Sequence, residues 1–276
     1  MSKLNTGINS KLFRSLANII RSHRAAWAIS LTPRAAIPQN NPQTKLPMAA
    51  PAPSDADTRF WDKTSLKYSQ SPISDQAGYQ RTLDKTITLL KPDHAAVELG
   101  CGTGSTAIQL SRHVRSFLGT DISSGMIDVA NKKISAPESS TGDGGKEEIQ
   151  GLAFRVATAE ELVSATEKFN VVLGFNYLHL VRDMPGTLKS VNTLLVPGGL
   201  FISKTPCIRD MTFGPVLLPV ISLARVVGLA PSVAGFTAGE LNKQIEAAGF
   251  EVLETEYHAS GKGDTRPFIV ARKVAV

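Results

Sequence analysis

The chain has 276 residues, 42% of them hydrophobic, and no run of 18 apolar residues, so it is long enough for a full core and shows no evident membrane-spanning helix. Its net charge of +6 sits at one end: seven of the 30 basic residues and none of the 24 acidic ones precede Asp55, leaving 23 against 24 in the remainder, a balance that excludes a basic nucleic-acid-binding body. Two cysteines, Cys101 and Cys207, make neither a disulfide framework nor a metal site by count, and both are read as reduced thiols.

Residues 1–54 read as a leader and linker, and residues 55–276 as one domain. At about 100° per residue, Ile8, Leu12, Phe13, Leu16, Ile19 and Ile20 fall within one arc of roughly 140°, opposite Lys11, Arg14 and Arg21. An acid-free amphipathic start with Arg and Ser reads as a mitochondrial presequence, which places the protein in the matrix. A start at Met48 would instead leave it in the cytoplasm. Thr32 to Pro53, rich in Pro and Ala, is a linker.

Phe60 to Leu90 is a helix-rich entry. Strand patterns follow near His94–Leu99, Val114–Gly119, Leu152–Val156, Phe169–Phe175 and Leu200–Lys204. Helix patterns alternate with them near Ser105–Arg112, Gly125–Ile134, Met184–Leu195 and Ala238–Ala248. Such alternation predicts a Rossmann-like, doubly wound α/β sheet, mostly parallel. Ser139 to Gly145 reads as a surface insertion, and Pro197-Gly198-Gly199 as a sharp turn into the fifth strand. Phe250–His258 and Pro267–Val274 are read as a C-terminal hairpin that adds an antiparallel strand to a seven-stranded sheet. Residues 206–236 form an insertion, of which Met211 to Ala234 is apolar with one charge, Arg225. It reads as a lid for an apolar substrate, a peripheral membrane contact, or plain packing on the sheet.

The chemistry concentrates at Glu98-Leu99-Gly100-Cys101-Gly102-Thr103-Gly104, where a buried strand ends in an acid and enters a glycine turn before a helix. Glycines take positive φ cheaply and let a ligand lie on the backbone. Asp121 ends the next apolar run, where a carboxylate reaches ribose hydroxyls. A dinucleotide site uses G-x-G-x-x-G; here the spacing is G-x-G-x-G, with Ser105 where the third glycine would stand. Glu98 would repel a pyrophosphate and attract a sulfonium and an ammonium.

Together E-x-G-x-G-x-G and Gly119-Thr120-Asp121-Ile122-Ser123 resemble the class I S-adenosylmethionine-dependent methyltransferases, specifically the branch of small-molecule enzymes that includes ubiquinone biosynthesis. The resemblance runs from about Phe60 to the C-terminus. It implies S-adenosylmethionine as cofactor, with S-adenosylhomocysteine as product. It implies that Glu98, Gly100, Cys101, Gly102, Thr103 and Gly104 face the methionine half, Asp121 the ribose, and Ile122 one adenine face. Thr158 and Ala159 fall in the adenine loop, where relatives often carry an aspartate at the place of Thr158. Asn176 ends the fourth strand, beside the transferred methyl. Many relatives begin that strand with aspartate; this chain has Asn170.

Methyl transfer needs orientation and a dry site, and a base only when the acceptor must lose a proton. His179, in Asn176-Tyr177-Leu178-His179-Leu180, is the candidate base. Its alternative is a structural histidine at a helix start. Tyr68 and Tyr79, in the entry segment, are candidate substrate contacts, with ordinary packing as the alternative. Thr205-Pro206-Cys207 follows the fifth strand, whereas RNA cytosine carbon-5 methyltransferases carry their Pro-Cys after the fourth. The Asn-Pro-Pro-Tyr pattern of nucleic-acid amino-methylating enzymes is also missing. The expected partner is therefore a small, partly apolar methyl acceptor and no nucleic acid. A protein-modifying enzyme and a non-catalytic mitochondrial assembly factor on the same fold are the alternatives.

Overall fold

The computed structural model describes residues 55–135, 150–261 and 263–274. The leader, the linker and the 139–145 insertion lie outside them. The elements are α1 (Asp55–Ser69), α2 (Gln76–Leu89), β1 (Ala95–Leu99), α3 (Ser105–Leu110), β2 (Ser116–Asp121), α4 (Ser124–Ser135), β3 (Leu152–Val156), α5 (Ala159–Ser164), β4 (Phe169–Phe175), α6 (Met184–Leu194), β5 (Leu195–Lys204), α7 (Gly214–Val226), α8 (Ala238–Ala247), β6 (Phe250–Tyr257) and β7 (Pro267–Lys273).

The seven strands lie in the order β3-β2-β1-β4-β5-β7-β6. All neighbouring pairs are parallel except β5 with β7 and β6 with β7, so β7 is the one reversed strand. This is the expected architecture, a Rossmann-like sheet with a C-terminal hairpin. Alternate residues divide the core. Val97, Leu99, Val172 and Phe201 pack against Leu162, Leu188, Val191 and Leu241 of α5, α6 and α8. Ala96, Val171, Leu173 and Ile202 face the other way, onto Leu83 of α2 and Ala107 and Leu110 of α3. Both faces are covered, which is why these strands read as nearly continuous apolar runs.

The order reverses between β1 and β4, because the chain leaves β3 at one edge and returns beside β1. A crevice opens at the carboxyl ends of the strands at such a point. The glycine turn follows β1 and the Asn176–His179 segment follows β4, so both flank this crevice.

Three local readings change. Pro197-Gly198-Gly199 does not precede β5; it bulges from it, since Leu195 pairs with Phe169 and the next partner pair is Leu200 with Val171. Residues 159–164 are helical, started by a capping box in which Thr158 Oγ1 accepts from Glu161 N at 3.2 Å and Glu161 Oε2 accepts from Thr158 N at 2.8 Å. The apolar insertion contains the helix α7, entered through Gly214-Pro215, where a missing N–H has no intrahelical partner to lose. Asn170 Oδ1 accepts from the Ala95 amide at 2.8 Å, closing the start of β1.

Asn170→Ala leaves that amide unpaired and is expected to lower the unfolding free energy by about 1–2 kcal/mol. Asn170→Asp keeps the acceptor and is expected to stay close to the parent. Urea denaturation of the two variants checks this.

Candidate functional site

Gly100, Gly102 and Gly104 all have positive φ, at 66°, 53° and 75°. A side chain in that region costs about 1–2 kcal/mol per residue, which demands the G-x-G-x-G spacing. The three glycines face different things. A Cβ on Gly100 would meet Tyr177 Cδ2 at 2.7 Å, and one on Gly104 would meet Phe154 Cζ at 2.6 Å and Ala130 Cβ at 2.9 Å. Two of the three therefore make room for protein. Gly102 is open; its nearest neighbour is Tyr68 Cε1 at 3.7 Å. A ligand's closest approach to the backbone is at Gly102.

The turn is braced from behind. Cys101 N donates to Thr120 O at 2.8 Å, and Gly102 N to Asp121 Oδ2 at 3.0 Å. Lys133 of α4 donates to Thr103 O at 2.8 Å, Thr103 Oγ1 at 2.9 Å and Ser105 Oγ at 2.9 Å. Burial, then the Glu98 and Asp121 carboxylates, push the Cys101 thiol up, so it stays a thiol.

Glu98 is 2% exposed. Its carboxyl accepts from the Ala107 amide in the first turn of α3. The helix has no side-chain cap of its own at Gly104, and Glu98 supplies one from the strand. Its Oε2 is buried with no hydrogen-bond partner. Burial first, then Asp121, push Glu98 up to about 8. Asp121 is also raised, by burial first and by Asp62, against the amides of Ser123, Gly102 and Ile122. Two acids crowded into one dry corner, one with an orphaned oxygen, are a receptor for a cation.

Helix α1 lies along this corner. Asp62 Oδ1 accepts from Ser123 Oγ at 2.6 Å and from Gly125 N at 3.0 Å, capping α4 from a distant element. Asp57 pairs with Arg182 at 3.0 Å and accepts from Ser232 N at 2.9 Å, tying α1 to both loops on the far side of the crevice. Tyr68 stands over Gly102, in electrostatic reach of Asp121 and Glu98.

Across the crevice, Asn176 sits at φ 51°, a conformation that Asn tolerates better than most residues; its amide donates to Lys204 O at 2.7 Å. Tyr177 lays its ring on Gly100. Thr205 Oγ1 accepts from His179 N at 3.3 Å and lies 2.9 Å from His179 Nδ1. That hydroxyl has no other acceptor among the described residues, so it donates to Nδ1, and the ring proton resides on Nε2. Burial lowers His179 to about 4. A neutral ring with its proton on Nε2 is a hydrogen-bond donor there, and a pKa near 4 is far from that of a good base at neutral pH.

Ile122 is half-buried just after β2. Thr158 caps α5, its Oγ1 accepting from the Glu161 amide. Ala159, the first residue of α5, has an amide without a partner among the described residues. The structure gathers Glu98, the glycine turn, Asp121, Ile122, Thr158, Ala159, Asn176, His179 and Tyr68 around the strand ends. Tyr79 differs. Its hydroxyl lies 3.1 Å from Thr106 Oγ1 and accepts from Gln109 Nε2 at 3.3 Å, bracing α2 on α3. The sequence reading did not single out Tyr177, Thr205, Lys133, Asp62 or Asp57 as site residues. Each acts across 26 to 175 positions, a range at which no local pattern operates.

A family model described as a methyltransferase domain matches residues 74–255. Among curated proteins, the chain is 28% identical over 199 residues to the mitochondrial arginine-hydroxylase NDUFAF5 of Danio rerio, spanning 71% of this chain and 57% of that protein. It is 27% identical over 164 residues to a ubiquinone biosynthesis O-methyltransferase of Methylobacterium nodulans, spanning 58% of this chain and 60% of that protein. The matches thus span less than two thirds of these relatives. Among solved structures, magnesium protoporphyrin IX methyltransferase of Synechocystis with bound S-adenosylhomocysteine superposes with a TM-score of 0.56 at 17% identity, over 78% of this chain and 97% of that one; it shares the fold.

Gly102→Ala is expected to cost about 1 kcal/mol of stability and Gly104→Ala about 2–4 kcal/mol, since only the second meets Phe154 and Ala130. Thermal unfolding separates them. Glu98, raised in the fold, stays protonated while its unfolded counterpart ionises. It therefore costs stability progressively as pH rises from about 4.5 to about 8. Glu98→Gln is expected to remove that slope, so its stability gains on the parent's across this window in denaturation curves.

Proposed function

The chain belongs to the class I S-adenosylmethionine-dependent methyltransferases, and we propose that it transfers a methyl group from this donor to a small, partly apolar molecule. The observation that carries the reading is the buried, half-satisfied Glu98 carboxyl beside the open backbone of Gly102. The residues present fit the donor: an orphaned acidic oxygen suits its ammonium, and Asp121 keeps lone pairs for ribose hydroxyls. Ala159 offers an amide to the adenine edge and Ile122 an apolar face. Cys101 and Thr103 shape the turn, Thr158 sets the start of α5, and Asn176 stands at the methyl side.

Bound there, the donor supplies an electrophilic methyl on a sulfonium whose sulfur keeps the bonding pair on transfer. The chain supplies orientation and dryness. Tyr68 and α1 close one side, and the 231–236 segment the other, held by Ala234 N on His179 O at 2.7 Å. His179 Nε2–H points its hydrogen bond at an acceptor's oxygen or nitrogen and orients it. Tyr79 acts through the α2–α3 contact. The apolar stretch around α7 suits an acceptor with an apolar part.

One relative supports a second reading. The similarity to a protein named arginine-hydroxylase, over 71% of this chain, favours a protein-modifying role on the same fold. Product analysis separates the two: S-adenosylhomocysteine released with a methylated small molecule supports the first, and oxygen added to a protein supports the second. The acid-free basic leader and that relative's mitochondrial name support a mitochondrial address. Met1–Pro53 fused to a fluorescent protein is expected to enter mitochondria, and a diffuse cytosolic signal would favour the start at Met48.

Binding of the cationic donor is expected to release protons from Glu98 at pH 7, seen in calorimetry as a heat that varies with the buffer's ionisation enthalpy. Tight binding of a nicotinamide dinucleotide, with no heat from the donor or its demethylated product, would overturn the reading. For His179 the size of the effect decides. His179→Ala is expected to lower kcat/KM about fivefold, the worth of one neutral hydrogen bond, and His179→Gln to recover most of it. A loss of about 100-fold or more in both would mark a general base.

A further inference from the structure

The carboxyl end of β5 holds an ammonium group that the donor corner does not use. Lys204 is the last residue of that strand. The register sets its place: Glu98 pairs with Leu173 and Leu173 with Ile202, so Lys204, two residues on, stands level with Gly100. Phe175 pairs with Lys204 and lies between the two. Two strand spacings separate Lys204 from the glycine turn by about 10 Å. Residues two apart share a sheet face, so Phe175 and Lys204 continue Leu173 and Ile202 on the side covered by α2 and α3. Both are half-buried. The Asn176 amide donates to the Lys204 carbonyl at 2.7 Å, which fixes Lys204 against the end of β4.

No carboxylate of the described residues pairs with this charge. Lys204 Nζ donates to Thr82 Oγ1 of α2 at 2.8 Å, where His258 Nδ1 also lies at 3.1 Å. The acids in electrostatic reach are Asp264 and Asp75, and both are committed elsewhere. Asp264 accepts from the Ala259 and Arg266 amides and from the Arg266 guanidinium. Asp75 accepts from the Ser260 amide and hydroxyl and from the Gly78 amide. The neighbouring cations are committed too, Arg266 to Asp264 and Arg81 to His258 O and Ser260 Oγ. Burial first, then Arg266, push the Lys204 ammonium below its ordinary range, against Asp264 and Asp75. An ammonium has three donors and Thr82 takes one. A half-buried cation with two N–H groups to spare is stabilised by an anion.

We propose that Lys204 selects the methyl acceptor and that this acceptor is a monocarboxylic acid, its carboxylate on the spare Nζ–H donors, its apolar body over Phe175 and its nucleophilic atom toward the glycine turn. Two N–H groups on one cation match the two oxygens of a monoanion. A phosphate dianion calls for a second free cation, and Arg81 and Arg266 are occupied. The separation of Lys204 from the turn suits a body of one aromatic ring with a short arm. The inference rests on the methyltransferase reading, which puts the donor at the turn.

Calorimetry on the full chain first measures S-adenosylhomocysteine; no binding would overturn the methyltransferase reading and this inference with it. The loaded chain is then titrated with acids and amides of matched shape, 4-hydroxybenzoate with 4-hydroxybenzamide and 4-hydroxycinnamate with its amide. The acid is expected to bind about tenfold tighter than its amide, the worth of one hydrogen bond to a charged group. Lys204→Gln, which can still donate to Thr82, is expected to bring acid and amide within about twofold, and Lys204→Arg to keep most of the preference. Thr82→Val removes the hydrogen bond and keeps the charge; it is expected to lower the thermal midpoint and leave the preference in place. Three results would overturn the inference while S-adenosylhomocysteine still binds and the methyltransferase reading stands. A preference for the acid that survives Lys204→Gln would place the carboxylate elsewhere. Equal binding of acid and amide by the parent chain would make Lys204 a brace between β5 and α2 and nothing more. Failure of every acid to bind would remove the carboxylate from the acceptor.

Discussion

The crevice is organised around a carboxyl group that the fold can only half satisfy. Glu98 is placed by β1, faces α3, and gives its hydrogen-bonding capacity to the Ala107 amide while Oε2 keeps none. A buried polar atom without a partner costs the fold free energy that packing elsewhere must offset. Asp121 lies close enough to raise the cost further. A cation placed there would relieve both acids at once, and the apolar surroundings that make the two acids costly would strengthen that attraction.

The glycine turn serves that corner in a divided way. Gly100 and Gly104 are needed because Tyr177 and Phe154 occupy the volume a side chain would take. Gly102 alone is left for a ligand. The backbone could not hold three left-handed residues in five positions unaided, and Asp121, Thr120 and Lys133 fix it from behind. The side chain that reaches toward ligand space from β2 is thus also part of the loop's scaffold, and a change at Asp121 touches both.

Helix α1 lies before the first residue of the family match at residue 74, yet it caps α4 through Asp62 and reaches Arg182 and Ser232 through Asp57. It contacts both sides of the crevice. On the far side, Ala234 of the 231–236 segment hangs on the carbonyl of His179, so the apolar α7 insertion is tied to the segment that follows β4. A change in how α7 sits has a short covalent and hydrogen-bonded route to the site.

Much of this was legible in the chain alone. Apolar runs between glycine and proline punctuation placed the strands within a few residues. The acid–glycine–acid spacing pointed to the corner that the structure builds from a left-handed glycine turn, the buried Glu98 and Asp121, because positive φ and a buried carboxylate each require a specific residue type. The Thr158–Glu161 capping box was also there to be read, and α5 went unseen only because the segment was read as a ligand loop. Helix α7 was hidden by Pro219 and by an apolar pattern with no polar face, which gives periodicity nothing to mark. What the tertiary structure alone decided is who stands next to whom. Tyr177 on Gly100, Thr205 on His179 and Asp57 on Arg182 join residues far apart in sequence. The tautomer of His179 and the orphaned oxygen of Glu98 follow from those neighbours, since protonation and satisfaction are properties of an environment and no residue carries them by itself.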